Sequence, residues 1–265
     1  MCGRYALHTA PMRVAQSLGL PVDLDWDPAY NVAPGRPVPV IATDPDSGDP
    51  IATHAQWGFH PHWAGDKAPT PINARAESLR SSRYFLGSFR HHRCLVPADG
   101  WFEWTESHGK KLPWYFHRRD DTPLAFAGLL AKGKDDNLTM AIITEPARSM
   151  AKTVHDRMPL VLTHDSIPAW LAPALEDPDE LREQVQHEPV EHFETYRVTP
   201  AVNRADAEGA ELITPASADD SYSIGRRFKS CCAPTSESEV CKPANHDPHK
   251  YKSPRNLRET RGVSP

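Results

Sequence analysis

Prolines limit this chain more than any other feature. There are 27 of them among 265 residues, so few stretches can run as long unbroken helices and many short elements joined by turns are expected. The segments Val38–Thr43, Ile51–Trp57, Trp114–His117, Leu124–Leu130, Leu138–Thr144 and Leu160–Thr163 are short, rich in β-branched or aromatic residues, and bounded by Gly, Pro and Asp, which reads as strand. Predicted helices are few. Thr9 is placed to cap one through Val14 and Leu18, Thr144 one with Pro146 in its first turn, and Ser166 one containing Trp170 and Leu171; Glu180–Gln186 makes a fourth. Strands and helices do not alternate regularly. The expected class is therefore α+β, a single domain with a curved, mainly antiparallel sheet or open β-barrel and short flanking helices.

Composition changes sharply near Pro215. Hydrophobic residues make up 39% of the whole chain, enough for one sizeable core, but from Ser217 onward they thin to isolated cases such as Ile224, Phe228 and Leu257. Such a segment cannot offset its ordering entropy. Residues 2–216 are expected to form the catalytic domain and 217–265 a disordered C-terminal tail. The tail carries nine Lys/Arg and six Asp/Glu, which leaves the body at −8 within a chain total of −5; binding to nucleic acid must then come from a local patch. Cys231, Cys232, Cys241, His246 and His249 match no standard zinc spacing, and no metal or cofactor is expected. No apolar run approaches the roughly 20 residues of a membrane span, and the N-terminus lacks a secretory signal. Five cysteines do not form a disulfide framework. The expected setting is a reducing one: cytoplasmic and nucleoid-associated, or nuclear in a eukaryote.

Cys2 carries the most chemistry. Loss of Met1 would leave an amine and a thiol on adjacent carbons, the amine with an unperturbed pKa of roughly 8. The amine can form a Schiff base with an aldehyde, and the thiol can close a five-membered thiazolidine on the same carbon with the advantage of an intramolecular step. An accidental cysteine at position two is the competing reading.

Four further segments place polar groups where a core would not need them. In Ile72–Glu77 an extended chain sets Asn73, Arg75 and Glu77 on one face, either to grip an anion, for which Arg suits phosphate, or as a surface strand with an Arg–Glu pair. Gly100-Trp101-Phe102-Glu103-Trp104 puts a carboxylate among rings; burial would raise its pKa into proton-shuttling range, whereas a wet face would not. His155 precedes an apolar segment and is either a proton carrier or, as one of 14 histidines, structural. From Ser78 to Ala98 there is no acid, and Arg80, Arg83, Arg90, His91, His92 and Arg93 interleave with Tyr84, Phe85 and Phe89. That window fits single-stranded nucleic acid or a helix with its rings in the core.

Six motifs occur in one order: Met1-Cys2-Gly3-Arg4-Tyr5, Tyr30-Asn31-Val32-Ala33-Pro34, Trp57-Gly58, Asn73-Ala74-Arg75-Ala76-Glu77, Gly100–Trp104 and His155-Asp156-Arg157-Met158-Pro159. Together they resemble the SRAP family of SOS-response-associated peptidases, or abasic-site-processing proteins, with Val198–Pro215 similar to the family's closing segment. The resemblance implies an SRAP-like fold and an enzyme that binds single-stranded DNA and forms a covalent thiazolidine crosslink between Cys2 and the ring-opened abasic sugar, shielding the lesion. Minor AP-lyase and self-processing peptidase activities accompany that reading. It implies Cys2, Asn73, Glu103 and His155 as catalytic residues, and Arg4, Asn31, Pro34, Trp63, Arg75 and Thr144 as DNA-binding, with Trp63 a wedge. The expected partners are abasic single-stranded DNA and a methionine aminopeptidase that removes Met1; the protein is expected to be a monomer with no membrane contact. His60 and His62 around Pro61 depart from the family pattern. Two rival readings are an N-terminal-nucleophile amidohydrolase of the class II glutaminase kind and a non-catalytic single-stranded DNA binder.

Overall fold

Two mainly antiparallel sheets are joined through a single connecting residue, Asp99, between the sixth and seventh strands. The computed structural model describes residues 2–23 and 25–216; the tail and its Cys and His residues lie outside the described residues. In the first sheet, β2 (Ala29–Val32), β1 (Tyr5–Leu7), β7 (Gly100–Ser107), β8 (Lys110–Arg118) and β12 (Phe193–Arg197) lie side by side in that order. The β7–β8 hairpin closes on His108 and Gly109 at φ 51° and 72°, the left-handed pair that a tight two-residue turn requires.

The second sheet runs β11 (Arg157–Pro159), β10 (Leu138–Pro146), β4 (Pro50–Trp57), β3 (Pro37–Thr43), β6 (Arg93–Ala98) and β9 (Leu124–Lys132). Because β9 also pairs with β10, the hydrogen bonds return on themselves. The β10–β4 junction has only Thr139↔Gln56 and Met140↔Trp57, however, and β10 then takes β5 (Asn73–Arg75) as its parallel neighbour. The result is a curved sheet that stops short of a clean barrel.

Asp99, between β6 and β7, accepts hydrogen bonds from the backbone N–H of His8 and of Thr9 (2.8 Å), tying the start of the chain to the crossing. Tyr5, Trp57, Trp101 and Phe126 fill the space between the sheets, with Tyr5 5.3 Å from Trp57 and Trp101 stacked at 4.9 Å on Phe116. Glycine is required at position 100, where a Cβ would stand 2.3 Å from the Phe116 carbonyl oxygen and 2.5 Å from the Tyr115 hydroxyl. The helices are α1 (Pro11–Leu18), α2 (Leu86–His91), α3 (Ile167–Leu171) and α4 (Pro178–Gln184). Among the described residues no helix is long and apolar enough to cross a membrane.

Several local expectations need correction. Thr144 caps no helix: it lies within β10, where pairing with β5 and β11 on that strand overrides the local Thr-Pro signal. Thr9 is not the cap of α1, which begins after Ala10 without a side-chain cap. Leu160–Thr163 is not a continuous strand, because its backbone changes partner, with Leu160 N–H on Ile143 and Leu162 N–H on Ala125. Ser166 precedes α3 but its hydroxyl is engaged with Thr163 and the Gln186 N–H. The fourth helix is capped by Asp177, which accepts from Asp179 and Glu180. Glu77 leaves the extended face of Asn73 and Arg75, because the chain winds into a 3-10 turn at Ala76–Ser78.

Candidate active site around Cys2

The register of β1 on β7 sets the site. Tyr5 pairs with Trp101, and the Phe102 N–H donates to the Arg4 carbonyl at 3.0 Å, so the chain before Tyr5 runs back along β7 toward Glu103. Alternation then sorts the β7 side chains: Trp101 packs in the main core and Phe102 in a second cluster on the other face, which puts Glu103 on the face of Trp101. Glu103 is 2% exposed. Burial raises its carboxyl to about 7, the positive amino terminus pulls the other way, and Asp156 adds a small push upward. The open question about this segment is thereby settled in favour of the dry face.

Cys2 is fully buried. Its thiol is pushed far up by burial and further by Glu103, while the amino terminus and the Arg4 N–H oppose. The Cys2 carbonyl accepts from Asn73 Nδ2 at 2.9 Å. Asn73 is held by the parallel pairing of Asn73 with Ile142, and by Trp57 Nε1 donating at 2.9 Å to the carbonyl of Ile72. Asn73 Oδ1 is buried with no hydrogen-bond partner among the described residues.

His155 lies between a 3-10 turn, Ser149–Thr153, and β11. Its Nδ1 accepts from the Arg157 N–H at 3.0 Å and stands 2.9 Å from Asp156 Oδ1. Burial lowers its pKa and the positive amino terminus lowers it further, against Asp156. A neutral ring that accepts at Nδ1 carries its proton on Nε2, an assignment made from the hydrogen-bond network. The amino terminus acts on Cys2, Glu103 and His155 alike, so the three share one electrostatic neighbourhood with Asn73 at its edge.

The residues expected to meet DNA divide into two groups. Arg75 is exposed, opposite Thr144 in the β5–β10 pairing, and makes no ion pair among the described residues. Trp63 is 59% exposed, edge-on to Tyr84 at 5.4 Å, and Pro34 is half-buried beside Gly35. The others are engaged internally. Arg4 Nη1 donates to Asn31 Oδ1 at 2.7 Å and to the Val202 carbonyl at 2.9 Å, and Asn31 Nδ2 donates to the carbonyls of Arg204 and Ala207. Thr144 is buried; its carbonyl and hydroxyl accept from Arg157 at 2.6 and 3.3 Å.

The basic window is not a continuous cationic strip. Arg93 is buried and donates to the carbonyls of Trp170, Phe89, Arg90 and Ala172, Arg80 pairs with Asp179, and Phe89 lies in the core. Sequence reasoning missed Arg157, whose guanidinium takes both carboxylate oxygens of Glu77 as well as Thr144. It thereby ties the turn after Arg75 to the strand after His155, and the Glu77 carboxyl is held below its ordinary range by that bond. The only signal for it was a charged side chain inside the motif His155–Pro159.

A profile of the SRAP family, SOS response associated peptidase, matches residues 1–205. The chain belongs to the SRAP family. Within the family it is 32% identical over 223 residues to the abasic site processing protein YoqW of Bacillus subtilis, covering 80% of this chain and 99% of that protein. It is also 32% identical over 229 residues to the abasic site processing protein YedK of Escherichia coli, covering 81% and 100%. Among solved structures, a Bacteroides thetaiotaomicron protein superposes with TM-score 0.70 at 23% identity, over 82% of this chain and all 100% of that one, a likeness of fold. A phage-related protein of Bordetella bronchiseptica gives 0.63 at 30% identity over 74% and 94%. These likenesses give the chain an SRAP fold, whose curved sheets carry few short helices here.

Proposed function

We propose that this SRAP protein processes abasic sites in single-stranded DNA by capping them covalently through Cys2. The observation that carries the reading is a buried carboxylate, Glu103, raised to about 7 beside an aminothiol residue whose carbonyl is clasped by Asn73. Relatives named as abasic site processing proteins support the substrate class.

Met1 is first removed by a methionine aminopeptidase or by self-processing. The Cys2 amine attacks the aldehyde carbon of the opened deoxyribose, forming a C–N bond and a carbinolamine. The carbinolamine hydroxyl leaves as water with a proton from Glu103, whose pKa lets it hold or release one near neutrality. The thiol then adds to the iminium carbon: the S–C bond forms, the C=N electrons return to nitrogen, which keeps its own hydrogen, and the thiol proton goes to the Glu103 carboxylate, restoring the acid. The sum is aminothiol plus aldehyde giving thiazolidine plus water, with no metal or cofactor in the balance. Neutral His155, with its proton on Nε2, serves the sugar oxygen as the ring opens. Strand cleavage by elimination is a minor branch of the imine, closed off when sulfur adds.

Arg75 takes the phosphate beside the lesion, and Trp63 offers an exposed ring for a neighbouring base, with Pro34 on the groove wall. Arg4, Asn31 and Thr144 shape that wall through their internal bonds. The test is to mix the mature, untagged protein with an oligonucleotide carrying one abasic site and look for an adduct that survives SDS. Cys2→Ala is expected to abolish the adduct and keep DNA binding; an undiminished adduct would reject the reading.

A further inference from the structure

Tyr5, three residues beyond Cys2, has no part in the steps above, yet its placement is unusual for a core tyrosine. It is fully buried, and its hydroxyl has no hydrogen-bond partner among the described residues. A phenylalanine would fill the same space without the penalty of an unpaired buried hydroxyl, and such exceptions call for a cause. The ring has little freedom: it lies 5.3 Å from Trp57, and Phe126 meets it edge-on at 6.2 Å.

These contacts close a circuit around the nucleophile. Trp57 Nε1 holds the carbonyl of Ile72, the next residue Asn73 holds the carbonyl of Cys2, and Cys2 leads back along the chain to Tyr5. The regular strand begins only at Tyr5, so residues 2–4 are not bound to the alternation that would turn Cys2 and Tyr5 to opposite faces. Both side chains lie in one buried cluster. Tyr5 also feels the charge of Cys2: after burial, a negative Cys2 is what pushes the Tyr5 hydroxyl further from ionisation.

We propose that the Tyr5 hydroxyl donates a hydrogen bond to the Cys2 sulfur as the thiol becomes a nucleophile, and that it acts in ring closure rather than in imine formation. This rests on the thiazolidine reading. When the thiol passes its proton to Glu103, negative charge appears on a buried sulfur, where a neutral donor that reaches it lowers the barrier. Tyr5 keeps its proton throughout, since burial holds it protonated. The S–H bond breaks, the S–C bond forms, and the phenol O–H is the same before and after. Glu103 supplies the proton path and Tyr5 the electrostatic support.

The experiment separates the two steps by trapping. Mature wild-type protein and Tyr5→Phe are each mixed with an abasic single-stranded oligonucleotide. Borohydride captures the imine, and SDS-stable adduct formed without borohydride reports the closed ring. For Tyr5→Phe the expected result is imine capture at the wild-type rate, ring closure slowed about tenfold or more, and unchanged DNA affinity. Ring closure within twofold of wild type would overturn the proposal, and so would an equal loss of imine capture and closure. Should Tyr5→Phe fail to fold, 3-fluorotyrosine at position 5 keeps the shape and sharpens the donor; faster closure supports the proposal and an unchanged rate rejects it. If wild type itself gives no borohydride-independent adduct, the thiazolidine reading has failed instead.

Discussion

Glu103 and Glu188 are both buried carboxylates, 2% and 4% exposed, and the chain treats them in opposite ways. Glu188 Oε1 receives Arg118 Nη1 at 2.9 Å and stands 2.6 Å from His192 Nδ1, while nearby Glu145 pairs with Arg148 at 2.9 Å and His187 at 2.6 Å. These two acids pin residues 187–192 to β8 and β10. Glu103 lies instead beside Trp101 and Cys2, where burial outweighs the pull of the amino terminus and lifts its carboxyl to about 7. A buried acid given guanidinium partners becomes a rivet; one set among rings and a thiol becomes a proton reservoir.

The sharpest way to break this comparison is to remove each acid. Glu188→Ala removes the acid shared by Arg118 and His192, leaving Arg118 with Asp120 alone, and is expected to cost about 2 kcal/mol of folding stability, measured by urea unfolding, while crosslinking by the surviving folded protein stays near wild type. Glu103→Gln should do the reverse. Abasic-site crosslinking is expected to slow by about 100-fold, with DNA affinity unchanged and stability equal to or above wild type at neutral pH. Loss of DNA affinity, or marked destabilisation, would make Glu103 another rivet.

The sign of the pH effect gives a finer test. An unfolded Glu titrates near 4.3, and Glu103 titrates at about 7 in the folded protein. Between those values the folded state keeps a proton that the unfolded state has lost, so stability is greatest below the lower value and falls as pH rises to the upper one. The full effect is about 4 kcal/mol as an order of magnitude. Urea unfolding of wild type and Glu103→Gln across pH 4.5 to 7.5 should therefore give curves that draw apart, with the variant gaining relative stability as pH rises; parallel curves would contradict a raised carboxyl.

How much of this was legible in the sequence depended on whether the deciding partner was local. Turn residues marked the ends of most strands, so Val38–Thr43 and Leu124–Leu130 lie inside β3 and β9. Thr144 misled because Thr followed by Pro is a local helix signal, while its strand state comes from β5 and β11, distant in the chain. Glu103 sat in a segment whose alternation was readable but whose wet face was not, and only pairing of Trp101 with Tyr5 decides it. Arg93 looked like part of a cationic patch until four carbonyls claimed it. The cysteine and its companions were readable as motifs, whereas the bonds joining Asn73 to Cys2 and Arg157 to Glu77 span 71 and 80 positions and leave no periodic trace.

The smallest expected effect extends the comparison to cations. Arg118 is committed to Glu188 and Arg157 to Glu77, but Arg75 stands exposed without an ion pair among the described residues. Arg75→Gln should leave stability within about 0.5 kcal/mol, as for surface changes away from buried networks. If Arg75 meets one phosphate, the variant binds single-stranded DNA more weakly, and the slope of log affinity against log salt becomes shallower by about 0.7, the share of one phosphate on a single strand. Fluorescence anisotropy over a salt series measures that slope. An unchanged slope would take Arg75 off the DNA path and leave the exposed Trp63 as the nearer guide to where the strand lies.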